Sequence, residues 1–348
     1  MKKKAFFLVF VLFSSLTFSQ EVKKEYHESG QLKSIENYDL DGNRIGENKQ
    51  FYLNGQLQQL ENYDNGQLNG EFKTFYENGQ LKQIGNYENG KLKGVIKQFY
   101  LNSQLQQLEN YDNGQLNGEV KQFYENGQLK EIAHYENNQV MGEFKGFYDT
   151  GELQKISIFE DGKLTGITKF YYKTGQLLEV GNFDNNERTG EAKKFYETGQ
   201  LQEIGNFKNG KLNGEWKTYY ETGQLREIGN FENGNQNGKW KTYYETGQLF
   251  SIANFENGLQ IVETKGFFKS GKLRFVGNLE NGKQVGEAKT FHENGQLHEI
   301  GNFINGVQAG VKRTYYETGE LQSIEYFTNG QPNKDSKYYD KKGNLIKK

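Results

Sequence analysis

Apolar side chains recur along this chain at fixed distances from a glycine. Gly stands at 55, 79, 127, 151, 175, 199, 223, 247, 271, 295 and 319, all on one 24-residue grid, with Ser103 replacing it once and Gly30 one residue off it. In all thirteen units the residue four before this Gly is aromatic, from Tyr26 to Tyr315, and the residue two after is Leu, from Leu32 to Leu321. The residue three before is Tyr in ten units. Five after comes Ile, Leu or Val; eight after comes an aromatic, except at Leu279. A fixed period of this size means a repeat architecture in which each unit buries its apolar skeleton against its neighbours.

Turn residues decide what that skeleton is. Asn54-Gly55 and Thr222-Gly223 mark one end of a unit, and Asn65-Gly66, Asn209-Gly210 and Asn233-Gly234 the other. Asn-Gly between short aromatic and β-branched runs is a hairpin signal, because such turns need positive φ. Where the second turn lacks Gly, at Asn138 and Asn186, Asn replaces it, the side chain that best tolerates the left-handed region. Helices would not survive two glycines per unit. The pattern therefore predicts two strands of about six residues per unit.

Pairing across the first turn sets the Tyr three before Gly opposite the Leu two after. Alternation adds to that face the aromatic eight after, with Trp216 and Trp240. The other face receives the aromatic four before, the aliphatic five after and a basic residue six before, from Lys24 to Arg313. A row of ammonium groups stays wet. The expected fold is all-β: a single-layer, elongated, twisted antiparallel sheet of stacked β-hairpin repeats, a solenoid-like ribbon. Residues 50–71 and 98–119 differ only at Gly55 against Ser103, as duplication of a block would leave them.

Composition narrows the function. Only 34% of the residues are hydrophobic, so the 2 Trp, 23 Tyr and 26 Phe carry much of the apolar surface. The absence of Cys excludes disulfides, thiolate metal sites and a cysteine nucleophile. A formal charge of -2 offers no field for nucleic acid or an anionic membrane.

The first residues, MKKKAFFLVFVLFSSLTFSQ, differ from all that follow. Lys2 to Lys4, the apolar run Ala5 to Phe13 and Thr17-Phe18-Ser19 read as a signal peptide over 1–19 with cleavage near Ser19. The run is short of the ~20 residues that span a bilayer, and no later stretch reaches that length, so no transmembrane segment is expected. Residues 20–348 form the repeat domain, about thirteen units and a C-terminal partial one, and the expected location is outside the cytoplasm: periplasm, cell surface or medium.

Chemistry finds few footholds in the repeat. His27 and His292 fill the Tyr slot, His134 an Asn slot and His298 an exposed one, and the expectation is that they lie in different units, too far apart for a triad or metal cluster. Glu131, Glu179, Glu203, Glu227 and Glu299 recur four after the Gly as an expected solvated ladder of equivalent carboxylates. Asp39-Leu40-Asp41-Gly42-Asn43 hints at a calcium loop, with its Gly two positions early for an EF-hand. No cofactor, metal or catalytic residue is expected. The aromatics Tyr76, Tyr124, Tyr172, Tyr196, Trp216, Tyr220, Trp240 and Tyr244 are the candidate binding surface, as core of a one-layer sheet, as an apolar stripe for a partner, or as both.

The segments NGKLNGEWKTYYETGQL and NGQLNGEFKTFYENGQL resemble MORN repeats, and more closely their 24-residue bacterial variant, seen in exported proteins and in the YwqK-type antitoxin-like family. They depart from the eukaryotic pattern at Phe72 and Trp216, where that pattern places glycine. The resemblance implies a repeat scaffold and covers nearly all of the chain after the leader. The functional expectation is an exported, non-enzymatic scaffold that binds a protein or cell-envelope component, a glycan or lipid among the candidates, along its extended face. The alternative is an immunity or antitoxin protein that neutralises a toxin partner.

Overall fold

A computed structural model describes residues 21–347, and every regular element among them is a β-strand, paired antiparallel. The expected leader lies outside the described residues. Both turns follow from backbone chemistry. At the first, the Tyr76 carbonyl accepts the Gly79 N–H (2.9 Å) while the Tyr76 N–H donates to the Gln80 carbonyl (2.8 Å). That is a type I turn closed by a left-handed residue in a bulge, and Gly79 has φ +84°. Asn78 Oδ1 accepts the Gln80 N–H (3.0 Å), which explains the Asn before Gly. Ser103 is forced into the same region at φ 67°. At the second turn two residues carry positive φ, as at Asn65 (44°) and Gly66 (78°), between the paired Asp64 and Gln67. Asn137-Asn138 and Asn185-Asn186 do the same without glycine.

Register differs from the expected one. Across the first turn Phe75 pairs with Leu81, then Thr74 with Gln83, Lys73 with Ile84 and Phe72 with Gly85. Tyr76 is therefore spent as the first turn residue, and the bulge at Lys82 absorbs one position. A shift of one residue changes the face a side chain takes. Leu81 consequently joins Phe75, Ile84 and Lys73 on one face, while Phe72, Gly85 and Tyr87 share the other. The expected pairing of Tyr with Leu does not form.

The second face holds most of the buried apolar side chains, Phe72, Ile96, Val120 and Trp240 among them. A one-layer sheet buries them by laying each large side chain over a small residue of the adjacent strand. A Cβ at Gly85 would come within 2.2 Å of Ile96 Cδ1 and 2.6 Å of Phe72, and one at Gly229 within 2.2 Å of the Trp240 ring. Each such burial contributes on the order of 2 kcal/mol. A third positive-φ row, unread in the sequence, lets the strand reach this packing. Gly181 pairs with Ala192 but Asn182 with Thr189, so Gly190 (φ 65°) and Glu191 bulge from that ladder. Val262 takes the equivalent slot at φ 48°.

The chain divides into two compact units, the first ending at Gln139 and the second starting at Val140. In the first, the strand after each second turn is interrupted, as in Gln67–Leu68 and Gly70–Phe75. In the second it runs unbroken for nine residues, as in Glu187–Phe195 and Lys211–Tyr219, until the C-terminal end, where Gln331–Pro332 and Lys337–Tyr339 are again separate. Strands in both exceed the expected six residues, many reaching eight.

Candidate functional site

The tyrosines of the candidate surface stand at the head of each first turn, and their hydroxyls are engaged. Tyr76 Oη donates to the Phe99 carbonyl (2.7 Å), Tyr172 to Phe195 (2.9 Å), Tyr196 to Tyr219 (2.8 Å), Tyr220 to Tyr243 (2.8 Å) and Tyr244 to Phe267 (2.9 Å). Each acceptor is the carbonyl that precedes the following unit's turn, so the row brackets hairpin to hairpin. Tyr124 stands in the same turn position, its N–H on the Gln128 carbonyl. Partial burial raises the Tyr172 phenol above its ordinary pKa. His27 and His292 replace the hydroxyl with Nε2, at 3.2 Å from the Phe51 carbonyl and 2.9 Å from the Tyr315 carbonyl. A carbonyl only accepts, so both imidazoles carry their proton on Nε2.

Trp216 and Trp240 belong to a different row. They lie on the second face with ring centroids 5.4 Å apart, and Phe231 meets them edge-on at 5.7 and 5.2 Å. Phe255 extends the cluster at 5.9 Å from Trp240. Trp240 is buried, whereas Trp216, Phe231 and Phe255 are half-buried. The structure thus splits the eight aromatics between a turn row and a face.

The glutamates are less alike than their spacing suggests. Glu203 Oε1 accepts the Trp216 indole N–H (2.9 Å), Glu179 pairs with Arg188, and Glu299 lies 3.5 Å from the Lys312 ammonium. Arg188 was not singled out in the sequence. It takes the slot that Leu164 and Leu212 fill one unit away, and its guanidinium sits 5.6 Å from the Phe183 ring centroid and 4.9 Å from that of Phe207. Burial pushes its pKa down, with the Glu203 charge opposing. Arg188, Glu179, Glu203, Lys194 and Phe207 line a depression of about 220 Å³, open because Ala192 and Gly205 are small. The same slot holds Arg44, stacked 5.4 Å from the Tyr63 ring centroid and paired with Glu36, so an arginine where most units of the first half carry Leu, beside the aromatic eight after the Gly, is the signal that could have found it.

Two further expectations change. His292 and His298 share a unit and their rings touch, centroids 4.5 Å apart, because the bulge returns His298 onto the turn residue. His298 Nδ1 also lies 3.2 Å from Thr290 Oγ1. In the Asp39 loop, Oδ1 accepts the N–H groups of Asp41 (3.0 Å) and Asn43 (2.8 Å), and Oδ2 the Asn43 amide (3.2 Å). The carboxylate shapes its own turn, and the Asn43 N–H leads in holding its pKa low. Among the described residues no cluster of three or more His, Asp or Glu is placed to hold a metal ion, and no helix is long and apolar enough to cross a membrane.

With this geometry in hand, the family match is informative. Eleven segments, 22–40, 44–65, 68–89, 92–113, 116–137, 164–185, 188–209, 212–233, 236–257, 284–305 and 308–329, match the family described as MORN repeat variant. The chain belongs to it. Each matched MORN segment closes on a second turn, and the interior stretches 138–163 and 258–283 fall outside the match. The second of these contains Val262 and Leu279, where the repeat pattern breaks. No curated protein matches the chain. Among solved structures it is similar to a chain in the crystal structure of TcdB2-TccC3-Cdc42, at 13% identity and a TM-score of 0.16, covering 92% of this chain and 20% of that one. It is also similar to a chain of the Photorhabdus luminescens Tc holotoxin pore, at 13% identity and a TM-score of 0.16, covering 93% and 19%. The MORN chain spans about a fifth of the length of both.

Proposed function

We propose that this MORN repeat chain is an exported, non-enzymatic scaffold that binds a protein or cell-envelope component through the face bearing Trp216, Trp240 and the phenylalanine row. The observation that carries the reading is the cluster of half-buried rings at Trp216, Phe231 and Phe255, bordered by Arg188, Glu179 and Glu203. Apolar area beside fixed charges suits recognition by contact. The tyrosine hydroxyls bracket each hairpin to the next at the turn row. Repetition argues for a scaffold over a catalyst, since catalysis needs one acid, base or nucleophile set apart from its copies.

The test is retention of a component from envelope extract on the immobilised mature protein. Trp216→Ala, which removes the ring that orients Glu203, is expected to weaken retention at least tenfold while leaving the fold intact by circular dichroism. Retention of nothing by the unaltered chain, or equal retention by the variant, would sink the reading. Export is tested separately, by the N-terminal mass of protein recovered outside the cytoplasm: a chain starting near Gln20 supports it, and one retaining Met1 to Ser19 does not.

A further inference from the structure

The basic row on the first face is not uniform, and its exceptions have a period of their own. In eight units the lysine six before the turn Gly is paired with a glutamate two residues earlier on the same strand. These are Lys49 with Glu47, Lys73 with Glu71, Lys121 with Glu119, Lys145 with Glu143, Lys193 with Glu191, Lys217 with Glu215, Lys265 with Glu263 and Lys289 with Glu287, all at 2.5–2.6 Å. In the remaining five the acid is missing. Val22 precedes Lys24, Val95 precedes Lys97, Ile167 precedes Lys169, Lys239 precedes Lys241 and Val311 precedes Arg313. Among the described residues these five cations have no ion pair.

The five fall on the first, fourth, seventh, tenth and thirteenth units. Every third unit, without exception, drops the acid. At four of these stations an aliphatic side chain replaces it: Val22, Val95 and Ile167 are 52%, 45% and 52% exposed, and Val311 is half-buried. At the other a second cation, Lys239, stands in its place. Folding does not explain this regularity. An exposed ion pair contributes little to stability, so its loss at any unit would be tolerated and losses would scatter. At the three exposed stations the aliphatic brings little burial either.

We infer that the stations within a compact unit form a docking register, in which a protein partner in extended conformation supplies the carboxylate that each station lacks. The inference rests on the scaffold reading in taking the chain as a binder, and it assigns a second face and a partner chemistry. Within a station the aliphatic and the cation lie two residues apart on one strand, about 7 Å. An acidic and an apolar side chain two apart on an extended segment match that spacing. Nucleic acid does not, since its charges fall every ~1.7 Å and single cations far apart neutralise few of them. Within the compact half that starts at Val140, Ile167, Lys239 and Val311 lie on the strands Lys163–Tyr171, Asn235–Tyr243 and Val307–Tyr315, six strand positions apart in each step. At ~4.8 Å per strand the stations repeat every 29 Å or so.

The probe is a synthetic peptide with two Glu-Ser-Leu segments joined by a Gly/Ser spacer. A spacer of about ten residues, at roughly 3.3 Å each, spans two stations, and one of about two residues does not. The unaltered protein is expected to bind the long-spacer peptide at least tenfold more tightly than the short-spacer one. Five substitutions, Val22→Glu, Val95→Glu, Ile167→Glu, Lys239→Glu and Val311→Glu, restore the arrangement of the other eight units and so preserve the fold. They are expected to abolish the advantage of the long spacer. Lys24→Gln, Lys97→Gln, Lys169→Gln, Lys241→Gln and Arg313→Gln should do the same without adding charge. Equal affinity for the two peptides, or an advantage that survives both sets of substitutions, overturns the register. Retention from envelope extract, measured in parallel, separates the two proposals: retention with no spacer effect leaves the scaffold and removes the register, and a spacer effect without retention does the reverse.

Discussion

The two rows of turns join neighbouring units by different atoms. At the first row a tyrosine hydroxyl reaches the next unit's carbonyl, as from Tyr196 to Tyr219. At the second row the link is backbone: the Gly90 N–H donates to the Leu68 carbonyl (2.7 Å) and the Gly210 N–H to the Arg188 carbonyl (3.0 Å). The difference sets what each row tolerates. A backbone link survives any side chain that accepts positive φ, and Asn138 even adds a bond, its Oδ1 accepting the Leu116 N–H (2.7 Å) as its own N–H donates to the Leu116 carbonyl. A side-chain link depends on the residue type: His292 keeps it and Phe268, without a hydroxyl, cannot make it.

Four measurements would break or sharpen this contrast, each read by denaturant unfolding. The largest effect is expected from Gly210→Pro, which removes the donor of a backbone link and cannot adopt φ 72°; a loss of about 3 kcal/mol or more follows. A loss under 1 kcal/mol would show the second row to be dispensable. Next comes Val262→Gly, which relieves a β-branched residue at φ 48° outside both rows and should stabilise by about 1–2 kcal/mol. Destabilisation there would mean that Val262 packing outweighs its strain. Ser103→Gly and Gly223→Ala test the first turn itself, at φ 67° and 84°. Roughly 1 kcal/mol of gain is expected for the former and a similar loss for the latter, and equal signs would contradict the turn. The smallest pair is Tyr196→Phe, expected to lose up to about 1 kcal/mol, and Phe268→Tyr, expected to regain part of that. If Tyr196→Phe is neutral, the first row is held by ring packing and the hydroxyl adds nothing.

Much of this was legible in the residues. Both turn positions, their positive φ and the substitution of Asn138 and Asn186 followed from Asn-Gly chemistry. The basic row on one face and the aromatic eight after the Gly on the other also emerged as alternation required. Leu81 went to the wrong face because the turn at Tyr76 carries a bulge, and alternation alone does not say where a bulge falls. The role of Gly85 and Gly229 was missed for a related reason: a small residue gains meaning only when the ring lying over it, from the adjacent strand, is known. His292 and His298 looked unconnected until the bulge brought one ring onto the other.

The 24-residue grid, the strand class and the places where the backbone must turn left-handed were determined by local chemistry, because φ preference and alternation act within a few neighbouring residues. Which side chains meet was decided by the tertiary structure. Register, the bracket from a Tyr hydroxyl such as that of Tyr196 to a carbonyl 23 residues on, and the seat of Arg188 between Phe183 and Phe207 all require strands from different units to be side by side. A hydrogen bond or ring contact forms across a few ångströms of space, whatever the length of chain between its partners.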